Sequence, residues 1–248
     1  MTETSTTRAL VEIRGLVKAF GVLPVLRQFD LTIEKGEFVA LLGPNGSGKS
    51  TLIRLLSGLS KPTAGTIHIG GWELPQEAAA VRAQIGLVSH RPLLYENLSA
   101  RENLVFFSRL YNLPKSTADA RIDDLLVRVG LGRRTGDLVR TFSRGMQQRL
   151  SIARALLHSP AVLLFDEPYT GLDQDASAIL DELLVDTHAS GQTIIMVTHQ
   201  LGQAAKLASR VVILSKGRIG YDAPTDGLDA LQLASIYTQT TSMVTAKQ

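Results

Sequence analysis

The 248-residue sequence contains no cysteine and no long hydrophobic run. Without cysteine there is no disulfide, no iron–sulfur cluster and no cysteine-ligated zinc, so any chemistry must come from oxygen and nitrogen groups. A membrane-spanning helix needs about 20 mostly apolar residues. The longest uncharged run, Thr187 to Ala205, is instead rich in Thr, His, Gln and Gly. We therefore expect no membrane span, and the polar residues 1–8 do not fit a secretory signal.

Two neighbouring stretches each have almost no charges of one sign. Residues 125–158 hold seven arginines against a single aspartate, and residues 155–205 hold seven acidic residues without any Lys or Arg. The formal net charge of +3 hides this contrast. The pattern fits two solvated helix faces, or a stretch that contacts phosphate beside a stretch that holds a cation. Charge alone does not decide between the two.

Eight short apolar or alternating runs predict strands. They cover residues 9–13, 28–33, 38–42, 66–69, 85–88, 161–165, 193–197 and 211–214. Helical sequence between the later runs favours a mainly parallel sheet covered on both faces. Residues 99–158 predict helices throughout, with stops near 112–114 and 130–132. We expect a helical insertion in an α/β core, followed by a frayed tail over residues 240–248.

Residues 43–51 match the phosphate-loop pattern GxxxxGK[ST] between a predicted strand and an apolar helical segment. Glycines let the backbone curl so that N–H groups point at phosphate oxygens, and the following helix adds its positive end. Lys49 is expected to reach the β- and γ-phosphates, and the Ser50 hydroxyl to ligate Mg²⁺. The pattern predicts nucleotide binding, although kinases, GTPases and many ATPases share it. The predicted contacts are Gly43, Pro44, Asn45, Gly46, Ser47, Gly48, Lys49, Ser50 and Thr51.

Two later strands end in polar residues that can complete such a site. Strand 161–165 is followed by Asp166 and Glu167, at the sheet edge where open α/β proteins bind ligands. Asp166 is a candidate Mg²⁺ ligand, and Glu167 is a candidate general base for the attacking water. Strand 193–197 leads to His199, a candidate γ-phosphate contact. The competing interpretations are an ordinary acidic turn and a structural histidine.

Residues 11–219 resemble the nucleotide-binding subunit of ATP-binding cassette (ABC) transporters. The distinguishing motif is a Ser-x-Gly turn that opens a helix before the acidic strand, here Phe142-Ser-Arg-Gly-Met-Gln-Gln-Arg149. Phe, Arg and Met depart from the commonest family form at its first, third and fifth positions, whereas Ser143 and Gly145 are kept. Ser143 is also expected to cap the helix. The resemblance implies that this helix end faces ATP held by a second subunit, which would account for the arginines nearby.

The resemblance implies roles for three further residues. Phe20 matches the aromatic residue that stacks on adenine, and Asp173 matches a loop that bridges the two subunits. Where the family usually has a Gln that touches Mg²⁺, this sequence has His90. Imidazole suits Mg²⁺ poorly, so His90 is the weakest of the three candidate metal ligands, and it could instead make its contact through water.

The fold implied by the resemblance is α/β, of the P-loop NTPase (RecA-like) type. It has a mainly parallel core sheet, an amino-terminal antiparallel β subdomain and an inserted α-helical subdomain. Residues 1–248 would form a single ABC ATPase domain. Residues 9–95 and 159–225 would form the core with its β subdomain, residues 96–158 the helical subdomain, and residues 226–248 a C-terminal helix and tail.

The predicted function is ATP hydrolysis that powers export, with ATP and Mg²⁺ as cofactors, at the cytoplasmic face of the cell membrane. The expected partners are a second ATP-binding subunit and a transmembrane permease. No nucleic acid is expected, and membrane contact is expected only through the permease. Residues 90–103 and the signature motif resemble haem-export subunits of cytochrome c maturation, and nearly as closely drug-export subunits, so the cargo stays open. Two further hypotheses are a soluble family member that uses ATP-driven dimerisation as a switch, and a non-hydrolysing structural subunit.

Overall fold

The computed structural model describes residues 9–243, and residues 1–8 and 244–248, which include part of the expected tail, lie outside the described residues. The strands are β1 (Ala9–Phe20), β2 (Leu23–Glu34), β3 (Phe38–Leu42), β4 (Ala64–Ile69), β5 (Trp72–Leu74), β6 (Ile85–Val88), β7 (Val162–Asp166), β8 (Thr193–Val197), β9 (Arg210–Ser215) and β10 (Arg218–Pro224). The α-helices are α1 (Lys49–Leu56), α2 (Ala78–Gln84), α3 (Ala100–Leu110), α4 (Lys115–Arg128), α5 (Arg144–Leu156), α6 (Gln174–Ala189), α7 (Leu201–Leu207) and α8 (Ala230–Met243). Among these described helices, none is both long and apolar enough to cross a membrane.

Two sheets form the framework of the molecule. β2, β1, β4 and β5 pair in that order as an antiparallel sheet, and β10, β9, β3, β8, β7 and β6 pair in that order as a second sheet. In the second sheet the strands from β9 to β6 run parallel, and β10 joins antiparallel at the edge. The predicted mainly parallel core sheet and the amino-terminal antiparallel sheet are therefore confirmed.

The larger sheet is buried on both faces. Along β3, Phe38, Ala40 and Leu42 pack in a core formed with helices α3 to α8. Val39 and Leu41 pack in a second core, formed with α1, α2 and the antiparallel sheet. Because neither face meets water, the strand has a continuous apolar sequence without alternation. Each large side chain buried in this way contributes about 1.5–3 kcal/mol relative to leaving it exposed.

The helical insertion is less helical than its sequence predicts. Between α4 and α5, residues 129–143 form a loop whose only helical part is a 3₁₀ turn at Val139–Thr141. Three glycines in this stretch, at positions 130, 132 and 136, disfavour a continuous helix. The start of α3 is well defined, because Ser99 and Glu102 form a capping box with each other's backbone N–H groups.

The sequence did not predict β5 and β10, and it predicted that the frayed tail begins too early in the chain. β5 has three residues, too few to show a period, and β10 contains Gly220 and Pro224, which are rare inside strands. The prediction of a tail fraying from residue 240 is wrong, because α8 continues to Met243. The helix is held by its apolar side, where Leu233, Ile236 and Tyr237 pack against the main core.

A side chain of α5 closes the end of α4. The Nη1 atom of Arg149 donates to the carbonyl oxygens of Val129 at 3.0 Å and Gly130 at 3.4 Å. Such carbonyl groups have no partner within their own helix. Gly130 has a φ of +68°, and a Cβ atom there would lie 2.7 Å from the same Nη1. The glycine therefore provides both the left-handed turn and the space for the guanidinium.

A polar link joins three segments of the chain. The Tyr169 hydroxyl donates to Asp181 Oδ1 at 2.6 Å, and Lys206 Nζ donates to Asp181 Oδ2 at 2.8 Å. Tyr169 follows β7, Asp181 lies on α6 and Lys206 lies on α7. Burial and the neighbouring carboxylate raise the pKa of Tyr169, so its hydroxyl stays a hydrogen-bond donor. We infer that this link holds the loop after β7 against α6 and α7.

We expect Asp181→Ala to destabilise the fold by about 1–3 kcal/mol, because it leaves the buried Tyr169 hydroxyl without an acceptor. The measurement is the midpoint of urea unfolding at constant m-value. Asp186→Ala, a change of the same kind at an exposed position of α6, is the matched control and should shift stability by less than about 0.5 kcal/mol. Equal effects of the two substitutions would contradict a stabilising link at Asp181.

Candidate active site

The parallel register brings three strand ends to one edge of the sheet. Leu41 of β3 and Asp166 of β7 both pair with Val197 of β8. The phosphate loop (residues 43–51), the acidic pair and His199 therefore begin side by side. This is the edge at which open α/β sheets bind ligands, as the sequence predicts.

The phosphate loop curls around the ammonium group of its own lysine. Lys49 Nζ donates to the carbonyl oxygens of Gly43 at 2.6 Å and Pro44 at 3.0 Å. Gly43 has a φ of +147°, and a Cβ atom there would lie 2.3 Å from the Leu214 carbonyl oxygen, so the position accepts only glycine. Burial lowers the pKa of Lys49, and the nearby Glu167 and Asp166 oppose that shift.

Donors in this loop stand ready for an anion. α1 begins at Lys49 after Gly48, and no side chain caps its first turn, so its N–H groups are open to a ligand. The Ser47 hydroxyl is buried and has no hydrogen-bond partner. This hydroxyl lies beside Gly43 and does not line the cleft, so the open N–H groups are the donors that remain for a phosphate. The loop therefore fits a nucleotide phosphate by its own geometry.

Two oxygen ligands lie together beside the loop. Ser50 Oγ donates to Asp166 Oδ1 at 3.2 Å. Burial raises the pKa of Asp166. The hydrogen bond from Ser50 opposes this rise first, and the electrostatic interactions with His90 and then Lys49 also oppose it. Within residues 9–243 no cluster of three or more His, Asp or Glu side chains is arranged to hold a metal ion. A hydroxyl and a carboxylate are nevertheless a fitting pair for Mg²⁺, which takes its other ligands from water and substrate phosphates.

Glu167 occupies a strained backbone position at the end of β7. Its φ is +55°, which is uncommon for a residue other than glycine, and its N–H donates to the Val197 carbonyl oxygen at 3.0 Å. Its Oε1 lies 2.9 Å from His199 Nδ1. Burial raises the pKa of the Glu167 carboxyl, and the charge and hydrogen bond of His199 oppose the rise. A carboxylate with a raised pKa is a better proton acceptor than an ordinary surface glutamate.

An open cleft of about 550 Å³ contains most of the predicted residues. It is lined by the phosphate loop, His90, Glu167 and His199, together with two residues that the sequence interpretation did not select, Val25 and Thr170. Neither of these two belongs to a motif described above. Val25 reaches the cleft from β2, which belongs to the other sheet, and Thr170 lies in the loop after β7. His90 is exposed at the rim. The structure thus brings one half of the predicted site together within a single chain.

Among the predicted residues that belong neither to the phosphate loop nor to the acidic pair, four lie outside this cleft. Phe20 ends β1 with 56% of its surface exposed, and Lys18 Nζ lies 4.8 Å from its ring centroid. Ser143 caps α5 as predicted, accepting from the Met146 N–H at 3.3 Å. Gly145 follows in the first turn of α5. Asp173 caps α6 by accepting from the Ala176 N–H at 2.8 Å.

The charge interpretation needs correction. Of the arginines in residues 125–158, Arg149 and Arg154 do not face phosphate but donate to backbone carbonyls within the chain. Arg134 pairs with Asp137. Among the acidic residues, Asp181 holds Tyr169 and Lys206, as described above. Sequence charge counts these groups equally, whereas burial decides which of them can meet a ligand.

Comparison with known proteins identifies the group of proteins to which this cleft belongs. The sequence model described as ABC transporter matches residues 26–170, which span the phosphate loop, the signature motif and the acidic pair. The chain belongs to the ABC transporter family. It is 37% identical to the ABC transporter ATP-binding protein NatA of Bacillus subtilis (strain 168) over 229 residues, which cover 92% of this chain and 91% of NatA. It is 38% identical to the daunorubicin resistance ATP-binding protein DrrA3 of Streptomyces coeruleorubidus over 220 residues, 89% of this chain and 70% of that protein.

A solved structure supports the same assignment. The dimeric structure of a post-hydrolysis state of the ATP-binding cassette MJ0796, bound to ADP and Pi, superposes with a TM-score of 0.79 at 29% identity, covering 88% of this chain and 100% of that chain. The ABC cassette fold predicted from the sequence is confirmed. This ABC protein is an ATPase.

The contact between Glu167 and His199 gives a testable pKa shift. We expect His199→Ala to raise the pKa of the Glu167 carboxyl further above the ordinary value of about 4.3, because the substitution removes the group that opposes the effect of burial. The measurement is a carbon-detected NMR titration of labelled glutamate, with Glu167→Gln used for assignment. His68→Ala, on β4 and outside the cleft, is the control and should leave this pKa unchanged. A lower pKa in His199→Ala would show that the contact is misassigned.

Proposed function

We propose that this ATPase is the energy-supplying subunit of an export system that works as a dimer with a separate transmembrane permease. The observation that carries the proposal is the convergence of Lys49, Ser50, Glu167 and His199 on one cleft. A non-hydrolysing structural subunit would have no need of a half-buried carboxylate held by a histidine 2.9 Å away. The names of NatA and DrrA3 place the relatives among transport ATPases and drug-resistance systems.

The polar residues in and beside the cleft have defined tasks in this proposal. Lys49 and the open N–H groups of α1 bind the β- and γ-phosphates. Ser50 and Asp166 would hold Mg²⁺, which when bound neutralises charge on the phosphate oxygens. Glu167 accepts the proton of the attacking water, and His199 orients Glu167 and contacts the γ-phosphate. His90 contacts this site through water, because imidazole is a poor direct ligand of Mg²⁺.

The second half of the site is proposed to come from another copy of the cassette. Ser143, Gly145 and Asp173 lie outside the nucleotide cleft, and the N-terminal end of α5 beside Ser143 is available to an anion. Phe20 is exposed and able to stack on an adenine ring. The dimer described for MJ0796 makes the same association reasonable for this chain. A soluble ATP-driven switch would need the dimer but not the permease, so copurification with a membrane protein separates the two functions.

The cargo is proposed from the relatives and not from the cleft. DrrA3 is named for daunorubicin resistance, which favours export of a small organic molecule. Haem export for cytochrome c maturation stays a second candidate, carried only by the resemblance of residues 90–103 and the signature motif. The neighbouring reading frames distinguish the two: cytochrome c maturation genes would favour haem, and a resistance determinant would favour a drug.

A groove on the other side of α5 is proposed to receive a cytoplasmic helix of the permease, which would hold the chain at the cytoplasmic face of the membrane. It has a volume of about 510 Å³ and is lined by large exposed apolar side chains, namely Leu59, Leu93 and Tyr95. Arg82 at its edge has no hydrogen bond or ion pair among the described residues 9–243. An amphipathic helix with apolar anchors and one acidic residue therefore fits the groove.

Hydrogen bonds attach the groove to α5, the helix that begins in the signature motif. Arg154 is 5% exposed and donates to the carbonyl oxygens of Leu93 at 2.9 Å and Leu87 at 2.8 Å. Ser151 Oγ donates to the Pro92 carbonyl oxygen at 3.0 Å. Because residues 87–93 also carry His90, the docking groove and the rim of the nucleotide cleft lie on one backbone segment. This segment is the proposed path of communication between permease and ATP.

We expect Glu167→Gln to lower kcat about 10²- to 10⁴-fold while ATP binding is retained, because the amide keeps the shape but cannot accept the proton. ATP-bound dimer should then accumulate, as measured by light scattering after size-exclusion chromatography. Glu182→Gln, the same change at an exposed position of α6, is the control. Turnover close to that of the unsubstituted protein in Glu167→Gln would refute the assignment of the base.

We expect Leu59→Asp to abolish copurification with the proposed transmembrane permease, because a carboxylate replaces an apolar contact. The ATPase activity of the isolated chain should stay within about twofold, since Leu59 lies outside the nucleotide cleft. Leu231→Asp places the same charge on α8, at a residue 82% exposed and outside the groove. Retained copurification in Leu59→Asp, or equal loss in Leu231→Asp, would exclude the groove as the docking surface.

A further inference from the structure

A second cleft of about 460 Å³ lies directly beside the nucleotide cleft. The two share His90, Glu167 and Thr170 as lining residues, so they meet at the carboxylate assigned as the general base. The second cleft opens between the segment that follows β6 and the first two turns of α5.

The charge of this second cleft is positive. Arg91 and Arg144 both line it, and within residues 9–243 neither guanidinium has a hydrogen bond or an ion pair. The acidic group that faces them is Glu167, which is already in contact with His199. Two unpaired guanidinium groups beside a single engaged carboxylate form a site for an oxyanion.

The walls of the second cleft are held in place by hydrogen bonds. Gln148 Nε2 donates to the Pro168 carbonyl oxygen at 3.3 Å, which joins α5 to the loop after Glu167. Ser151 and Arg154 hold residues 92 and 93 on the opposite wall, as described above. The stem of Arg144 packs on Gly171, where a Cβ atom would lie 2.9 Å from Arg144 Cδ. Packed in this way, the guanidinium loses less conformational freedom on binding an anion than a freely rotating surface arginine would.

We propose that this cleft binds the inorganic phosphate released by hydrolysis, and that Arg91 and Arg144 are its ligands. The proposal rests on the proposed function, because phosphate is produced beside this cleft only if ATP is cleaved at Glu167. Phosphate freed beside Glu167 is next to the residues that the two clefts share, so it can enter the second cleft while ADP is still on the phosphate loop. The planar guanidinium groups match phosphate oxygens in geometry as well as charge. Arg144 occupies the third position of the signature motif, where the commonest family form has no arginine.

A different role for Arg144 would be a contact with ATP bound by the second subunit. That contact would act on ATP binding and would leave phosphate affinity unchanged. The experiment therefore measures both quantities in the same variants.

The test variant is Arg91→Gln/Arg144→Gln, which removes both charges while keeping side-chain length. Its control is Arg133→Gln/Arg140→Gln, which changes charge equally at two exposed arginines outside both clefts. The readouts are inhibition of steady-state ATPase by inorganic phosphate, the KM for ATP, and phosphorus-31 NMR line broadening of inorganic phosphate by the ADP-saturated protein. Lys49→Ala, measured without nucleotide, reports whether phosphate is held by the phosphate loop instead.

We expect the phosphate inhibition constant and the NMR dissociation constant to rise about tenfold or more in Arg91→Gln/Arg144→Gln, with KM for ATP unchanged. The control and Lys49→Ala should bind phosphate as the unsubstituted protein does. Unchanged phosphate affinity with a raised KM would overturn the proposal in favour of a contact with the second subunit's ATP. Loss of phosphate binding in Lys49→Ala alone would overturn it in favour of the phosphate loop. An unsubstituted protein that binds phosphate through both arginines but does not cleave ATP would refute the proposed function and leave the phosphate site standing.

Discussion

The parallel pairing of β3, β8 and β7 is the constraint on which the rest of this structure depends. It sets the ends of three strands at one edge, so residues more than 100 positions apart in the chain meet there. The register is maintained by burial on both faces, because a shift by one residue would exchange the side chains of two separate cores. Catalytic geometry in this protein is therefore a by-product of hydrophobic packing, and the polar residues need only follow the strands.

The pKa shifts in the cleft are set first by burial and then by the neighbouring groups. Burial works against the charged form of Lys49, Asp166 and Glu167. Glu167 and Asp166 favour the charged form of Lys49, the hydrogen bond from Ser50 favours that of Asp166, and His199 favours that of Glu167. Phosphate and metal would enter a region where several charges already interact at short range. Such an arrangement is costly when empty, and ligand binding relieves that cost.

Much of this architecture could be predicted from the sequence, because its signals are local. The phosphate loop, the acidic pair and His199 each follow a buried strand. The structure places Lys49, Ser50, Glu167 and His199 in one cleft, and Asp166 contacts Ser50 beside it. The remainder depends on contacts between distant segments: Val25 reaches the cleft from another sheet, and the link from Tyr169 to Asp181 and Lys206 leaves no pattern in the sequence. The charge pattern counts Arg154 as a basic residue available to phosphate, and only its burial reveals that it binds backbone carbonyls. Charge patterns predict the sign of a surface but not which charges are on it.

The pair formed by Gly130 and Arg149 has a consequence for how sequences of this kind can diverge. Any side chain at position 130 would displace the guanidinium and leave the end of α4 without its hydrogen-bond partner. With a shorter residue at position 149, the glycine would only add flexibility to the unfolded chain. The two positions are thus expected to change together or not at all. An alignment of related sequences should show positions 130 and 149, about 20 residues apart, as a covarying pair.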